Sequence, residues 1–308
     1  MPAYLMSRLF MAAWVIFGVT SLVFFLIHWV PGDPVEVMLG ESASAVDREA
    51  LRQALGLNQP ILQQWGSFLT GVFTFDLGTS LFYQQPVMEL LSAHYMATLE
   101  LAAAAFVIAV IIAIPLGVFS AARQGSAWDF GAMGFSLLGV SVPNFWLGPL
   151  LVLVFSLGLG WFPVSGGEGA GAVVLPAVTL GTSLAAILSR MVRSSLLEVL
   201  GEDFIRTARA KGLSARQVLI RHGLRNAWLP VLTVLGMQVG ALLGGAVITE
   251  IIFNWPGIGS LLIESIQKRD YPVVQACVLV ISLAYVMINL ITDLLYAWVD
   301  PRIRLEHT

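Results

Sequence analysis

Hydrophobic positions in this chain form long uninterrupted blocks rather than a repeating face. Six uncharged runs, Leu9 to Gly32, Leu101 to Ala122, Phe130 to Gly167, Gly169 to Ser189, Asn226 to Thr249 and Tyr271 to Thr292, are separated by more polar segments of very different length. A bilayer hydrocarbon core takes roughly 20 helical residues, and every run reaches or approaches that length. The runs are too long for the roughly 10-residue alternating strands of a membrane barrel. A soluble protein with six such core helices would have almost no chain left for its polar coat. The pattern predicts an all-α polytopic membrane protein with six transmembrane helices. Leu9 to Val30 exceeds the apolar region of a usual signal peptide and runs into PGDP where small cleavage-site residues belong, so it is expected to be retained as the first span.

The polar segments divide the chain further. Residues 1–30 are expected to hold a short cytoplasmic N-terminus and the first helix, and 31–96 a small helical external cap. Residues 97–299 are expected to form a core of five further spans that includes a polar loop at 190–228, and 300–308 a cytoplasmic tail. In the cap, helical patterns at Val46 to Leu55 and Pro60 to Val72 flank GLNQP, with Pro60 suited to a helix start. Pro115 should kink the second span or mark a broken turn. The third helix is expected at Asp129 to Leu157 with a distortion at Pro143 to Pro149, and Asn144 in its SVPNFW segment is a pathway candidate. Gly236, Gly240 and Gly244 share one face of the fifth span at a spacing that lets another helix approach closely. On the sixth span, Asn289 and Asp293 stand four apart and should share a face.

Composition agrees with the pattern: 57% of residues are hydrophobic and 11% charged, against about a quarter charged in soluble domains. Net charge, -3, decides little, but its distribution fixes an expected orientation. Basic residues concentrate in cytoplasmic loops. With the N-terminus inside, Arg8, Arg123, the eight basic residues from Arg190 to Arg225, Arg302 and Arg304 face the cytoplasm, leaving Arg48, Arg52, Lys268 and Arg269 outside. The opposite topology would export the whole basic segment, so both termini are expected in the cytoplasm.

Catalytic chemistry is not visible. The chain has no GxxxxGK[ST] and no HExxH, its one cysteine, Cys277, lies in the last span, and its four histidines are dispersed. No catalytic, cofactor-binding or metal residue is assigned. Few carboxylates lie in the spans, which weighs against a proton-driven carrier. Such a chain could still serve as a transport path, a receptor, a channel or an anchor.

The basic segment GEDFIRTARAKGLSARQVLIRHGLRNAWLP, Gly201 to Pro230, discriminates among these. Topology and anionic lipid account for its charge but not for its order. Glu202 and Asp203 open a helix, Arg209 and Lys211 close it, and Gly212 turns the chain. Ser214 with Gln217 has capping-box spacing and starts a second helix. Leu213, Val218 and Leu219 are expected to supply apolar contacts beside Arg216 and Arg221. Two short helices joined at a glycine can dock into a groove of a soluble partner.

This segment resembles the cytoplasmic loop of inner-membrane permease subunits of ABC importers, in the branch for dipeptides, oligopeptides and nickel. PGDP, LGLNQP, DLGTS, ATLELA, SVPNFW, LPA, RSSLLEVL, IFNWPGIGSLL, RDYPVVQ and DPRIR resemble segments of the same family in the same order, covering Met1 to Arg304. The broader class carries EAA before the loop glycine. Here Arg206, Thr207 and Ala208 occupy those positions, a departure shared by the peptide and nickel branch.

The resemblance implies a permease of a binding-protein-dependent importer, with coupling helices around Gly212 to Arg221. It implies a second related permease subunit, two ATPase subunits or domains that bind the ATP and Mg this chain does not, and an external substrate-binding protein. Membrane lipid and a peptide or small solute complete the expected partners, without nucleic acid. Gly212, Leu213, Val218 and Leu219 are expected to carry coupling, with Arg206, Arg209, Lys211, Arg216 and Arg221 setting orientation. The substrate expectation is a di- or oligopeptide, with nickel, glutathione or another small solute as alternatives and a lone channel or secondary carrier as the rival class.

Overall fold

A computed structural model describes residues 2–29, 32–39, 44–167, 169 and 171–299. The described secondary structure is helical. In chain order it comprises α1 (Pro2–Trp29), α2 (Pro34–Leu39), α3 (Ala45–Ala54), α4 (Ile61–Thr74), α5 (Val87–Ala122), α6 (Ala127–Ser141) and α7 (Asn144–Leu151). There follow α8 (Val174–Leu200), α9 (Asp203–Ala210), α10 (Ala215–Gln217), α11 (Trp228–Phe253), α12 (Ile258–Gln267) and α13 (Tyr271–Val299). Pi-helical turns extend α7 over Val152–Gly158 and α10 over Val218–Leu224.

The expected spans map onto α1, α5, α6 with α7, α8, α11 and α13. Four of these, α1, α5, α8 and α13, contain continuous apolar stretches long enough to cross a bilayer unaided. The third span is broken more sharply than a distortion: Ala127–Ser141 and Asn144–Gly158 meet at 105°. The cause is local. Pro143 takes the extended backbone of a helix cap and removes a donor just where α6 would continue. At Pro115, by contrast, the helix is not interrupted, and α5 runs from Val87 to Ala122. Membrane helices tolerate interior proline where neighbours re-satisfy the freed carbonyl.

The chain divides into two compact units. The first comprises Met1–Thr98 and Pro256–Val286. Here α4 lies against α1 through aromatic contacts, with Phe68 stacked on Phe24 at 5.8 Å and Trp65 5.9 Å from Phe17. The indole of Trp65 donates to Ser21 Oγ at 3.2 Å, so its polar atom is paired beside the apolar face of α1. A second core joins Val87 and Leu91 of α5 to Ile258, Leu261, Val273 and Cys277. Beside it the fully buried Asp270 accepts from the Ser80 hydroxyl and from the Leu81 and Phe82 amides, which pins the loop before α5.

The second unit comprises Leu99–Trp255 and Met287–Thr308. Its centre is α8, which buries Leu180, Leu184, Leu188, Val192 and Leu196 at four-residue spacing against its neighbours. Glycine acts here by close approach, though not through the expected triplet. A side chain at Gly236 would collide with Thr292 of α13, whereas Gly240 is buried and Gly244 faces open space. Within the chain, then, Gly236 meets a neighbouring helix and Gly244 leaves its face open. Within this unit, close backbone approaches lie at Gly117, against the Ser189 carbonyl, and Gly181, against the Ala105 carbonyl.

Candidate functional site

The basic segment folds as two helical pieces closed on themselves. Asp203 occupies the first turn of α9, where a carboxylate meets the positive end of the helix. Within this helix Ile205 and Ala208 are buried, while Phe204, Arg206, Thr207 and Arg209 are exposed. Arg206 pairs with Asp203 at 3.1 Å, an exposed contact of small energetic weight. The Thr207 hydroxyl donates to the Asp203 carbonyl at 3.1 Å. Lys211 caps α9, and Gly212 follows with φ +79, in the left-handed region that glycine enters without a Cβ penalty.

The second piece begins at the predicted capping box. The Gln217 amide donates to Ser214 Oγ at 3.4 Å, and the Ser214 amide donates to Gln217 Oε1 at 3.1 Å. The turn that follows aims Val218 inward. Val218, 2% exposed, packs with Ile205 and Ala208, and Leu200 and Leu213 flank the cluster. Each large apolar side chain removed from water contributes about 2 kcal/mol, so this cluster holds the two helices as one body. Leu219 packs at a neighbouring cluster of Ala121, Leu196 and Ala227, which ties the hairpin to α5, α8 and the start of α11.

These placements sort the expected coupling residues into packed and exposed ones. Val218 is internal, and Leu213 and Leu219 are half-buried against the chain itself. The large apolar side chains presented outward are Phe204, 43% exposed, and Ile220, 47% exposed. The sequence does not single them out, because Phe204 adjoins Ile205 and Ile220 adjoins Val218 and Leu219 in helical pieces too short to show which apolar residue faces outward. Arg206, Thr207, Arg209, Lys211, Arg216 and Arg221 are all exposed, with Ala208 buried beneath them.

A polar anchor stands beside the hairpin. Asp129, 2% exposed in the first turn of α6, receives Arg193 Nε and Nη2 of α8, each at 2.7 Å. The Ser120 hydroxyl of α5 and the Gly125 amide also donate to this carboxylate. Three helices are therefore joined through one saturated carboxylate, which is the condition under which a buried charge is tolerated. The other candidates do not converge on the loop. Pro115 is exposed on α5, Asn144 is half-buried in the first turn of α7, and Asn289 is exposed on α13. The side chain of Asp293 and all of 300–308, including Arg302 and Arg304, lie outside the described residues.

A helical membrane core carrying a rigid, outward-facing helical hairpin invites comparison with transport proteins. Residues 113–305 match the family described as binding-protein-dependent transport system inner membrane component, and residues 1–102 match the family of its N-terminal part. The chain belongs to this family. The dipeptide transport system permease protein DppB of Escherichia coli K12 is 43% identical to it over 336 residues, covering 99% of each chain. The glutathione transport system permease protein GsiC of the same strain is 42% identical over 301 residues, covering 98% of each.

Among solved structures, the MetNI methionine ABC transporter in inward-facing conformations matches with a TM-score of 0.57 at 21% identity, over 69% of this permease and 97% of that chain. An amino acid ABC transporter with histidines matches with a TM-score of 0.51 at 16% identity, over 68% and 94%. These two likenesses concern the fold alone. The permease is thus a membrane-embedded component of a transport system that works within a larger complex.

Proposed function

We propose that this permease forms half of the membrane pathway of an ATP-driven, binding-protein-dependent importer of di- or oligopeptides. The observation that carries the reading is the hairpin of α9 and α10, internally clamped at Val218 and Ile205, on a chain with no nucleotide-binding motif. A rigid body that presents apolar side chains outward transmits displacement from a partner; a disordered basic loop would absorb it. ATP and Mg belong to two cytoplasmic ATPase subunits, and the chain itself has no catalytic role and takes no cofactor.

The assembly follows from this role. A second, related permease subunit completes the pathway, and an external binding protein delivers substrate to the cap of residues 31–96. The charge distribution supports an orientation with both termini and the hairpin in the cytoplasm. ATP-driven closure of the two ATPases moves the hairpin and opens the pathway outward, and hydrolysis resets it. Peptide as substrate rests on the end-to-end likeness to the DppB protein, and the nearly equal likeness to the GsiC protein supports a second reading in which the solute is glutathione.

Reconstitution tests both readings. Proteoliposomes holding the permease pair and ATPases, supplied with the binding protein and ATP, are expected to accumulate labelled dipeptide. Accumulation of glutathione without dipeptide selects the second reading, and accumulation of nickel alone overturns both. Solute movement by the permease alone would place it among channels or secondary carriers and end the proposal.

A further inference from the structure

Between the hairpin and the ends of α5 and α8 lies an open cavity that the expected contact with an ATPase does not explain. It measures about 790 Å³, within the size range of small-ligand sites. Three arginines line it: Arg123 just beyond α5, Arg209 of α9 and Arg216 of α10. No carboxylate lines it among the described residues. The ion pairs of the hairpin and its surroundings engage Arg193 and Arg206 instead. Three like charges around one cavity repel one another, and an anion held between them relieves that repulsion.

The remaining surface of the cavity is apolar. Ala121 at the end of α5, Leu197 on the last turns of α8 and Leu219 of the hairpin contribute to it. Two of these belong to membrane-spanning helices at the ends nearest the basic loop. Arg123 itself lies over the Phe119 ring at 4.5 Å and 6.0 Å from the Trp128 ring, and Trp128 is 66% exposed. An arginine resting on exposed aromatics where spans end is the arrangement found at a bilayer interface, where aromatic rings sit at the level of the headgroups. A soluble acidic partner needs the cations but not the apolar floor or the aromatic pair. A phospholipid needs all three.

We propose that this cavity is a binding site for an anionic phospholipid headgroup, with Arg123, Arg209 and Arg216 holding the phosphate and the apolar floor receiving the glycerol and upper acyl chains. Basic pockets at the cytoplasmic ends of membrane helices are suited to such headgroups. The site rests on the proposed cytoplasmic orientation of the hairpin. It also divides the basic residues of the loop: Arg209 and Arg216 face the lipid cavity, leaving Arg206, Lys211 and Arg221 for protein contact. The lipid would couple hairpin position to the composition of the surrounding membrane.

The test uses the assembled complex, purified in mild detergent and analysed by native mass spectrometry after incubation with phosphatidylglycerol, cardiolipin or phosphatidylethanolamine. The anionic lipids are expected to remain as adducts and phosphatidylethanolamine to wash away. Each Arg→Gln change at positions 123, 209 and 216 is expected to weaken retention roughly fivefold, and Arg123→Lys to keep most of it. The lysine variant also separates loss of charge from loss of folding.

Three results would overturn the proposal. Undiminished retention in the triple glutamine variant excludes the cavity. Displacement of the adduct by excess inorganic phosphate makes free phosphate the ligand rather than lipid. Crosslinking of an Arg216→Cys variant to an ATPase subunit, without any to photoreactive phosphatidylglycerol, assigns the cavity to the protein interface. Retention needs neither substrate nor ATP, so failure of the transport reading and failure of the lipid site produce different results.

Discussion

Arg193 meets the Asp129 carboxylate side-on, with Nε and Nη2 each 2.7 Å from a separate oxygen. This bidentate geometry is the strongest form of the pair, and the Ser120 and Gly125 donors complete the carboxylate. Its structural consequence is that the start of α6 cannot shift along α8 without stranding a charge.

Removing one partner should therefore cost more than removing both. Arg193→Met leaves Asp129 buried without its cation and is expected to destabilise the complex by about 3 kcal/mol. The double change Arg193→Met with Asp129→Ala is expected to recover a substantial part of that loss. Thermal unfolding of the wild-type, single and double variants in detergent closes the cycle. Additive losses would show that the pair carries no coupling and that each residue acts alone.

The contact between Val218 and Ile205 makes a separate prediction about force transmission. Val218→Ala and Ile205→Ala open a cavity between two short helices that have little other means of staying together. A large-to-small change of this kind costs about 1–4 kcal/mol, enough to loosen an exposed hairpin without unfolding the membrane core. Hydrogen exchange is expected to accelerate across residues 203–224 and nowhere in α8, while ATP hydrolysis continues and uptake falls. Unchanged exchange in the hairpin would show that the cluster is not its clamp.

The contrast between Val218 and Phe204 also shows how far a sequence can be read. The spans were legible because about 20 consecutive apolar residues have no other stable use. Ser214 and Gln217 were legible because a capping box is a local interaction with a fixed spacing. Which face of the hairpin points outward was not, since α9 has eight residues and its inside is defined by Val218, ten or more residues away.

Asp129 and Arg193 are 64 positions apart, so no spacing rule could pair them. In the sequence Arg193 is one positive charge among the eight from Arg190 to Arg225. Pro115 shows the complementary case: the local rule for proline allows either a kink or a broken turn, and only the neighbours that stabilise a membrane helix decide that the helix continues through it. For the glycine triplet, spacing along α11 fixes a face, and only the neighbouring helix decides that Gly236 is crowded while Gly244 is open within the chain.

Gly212 tests the turn independently of the cluster. At φ +79 an added Cβ is strained even though no neighbouring atom stands within 4 Å of it. Gly212→Ala should cost about 1–2 kcal/mol through backbone strain alone, and Gly212→Asn less, because asparagine tolerates the left-handed region. The expected order of ATP-coupled uptake is glycine, then asparagine, then alanine, then valine, with membrane insertion the same for all. Equal uptake by the glycine and valine forms would remove the turn from the coupling mechanism.

Phe204 and Ile220 should separate docking from folding. Both are large, apolar and nearly half exposed on a hairpin that otherwise presents charge. Their burial in this chain is incomplete, so Phe204→Ala and Ile220→Ala should change its own stability by less than about 1 kcal/mol. Buried in a partner's groove, each would contribute about 1.5–3 kcal/mol, corresponding to roughly a tenfold or greater loss of affinity on truncation. Exposed arginine contacts rank below them, because a rim salt bridge contributes at most about 1 kcal/mol. Titration of purified ATPase against the permease pair in nanodiscs is therefore expected to rank Phe204→Ala and Ile220→Ala above Arg206→Gln and Lys211→Gln. The reverse order would make the interface electrostatic, and the affinities would then fall steeply with added salt.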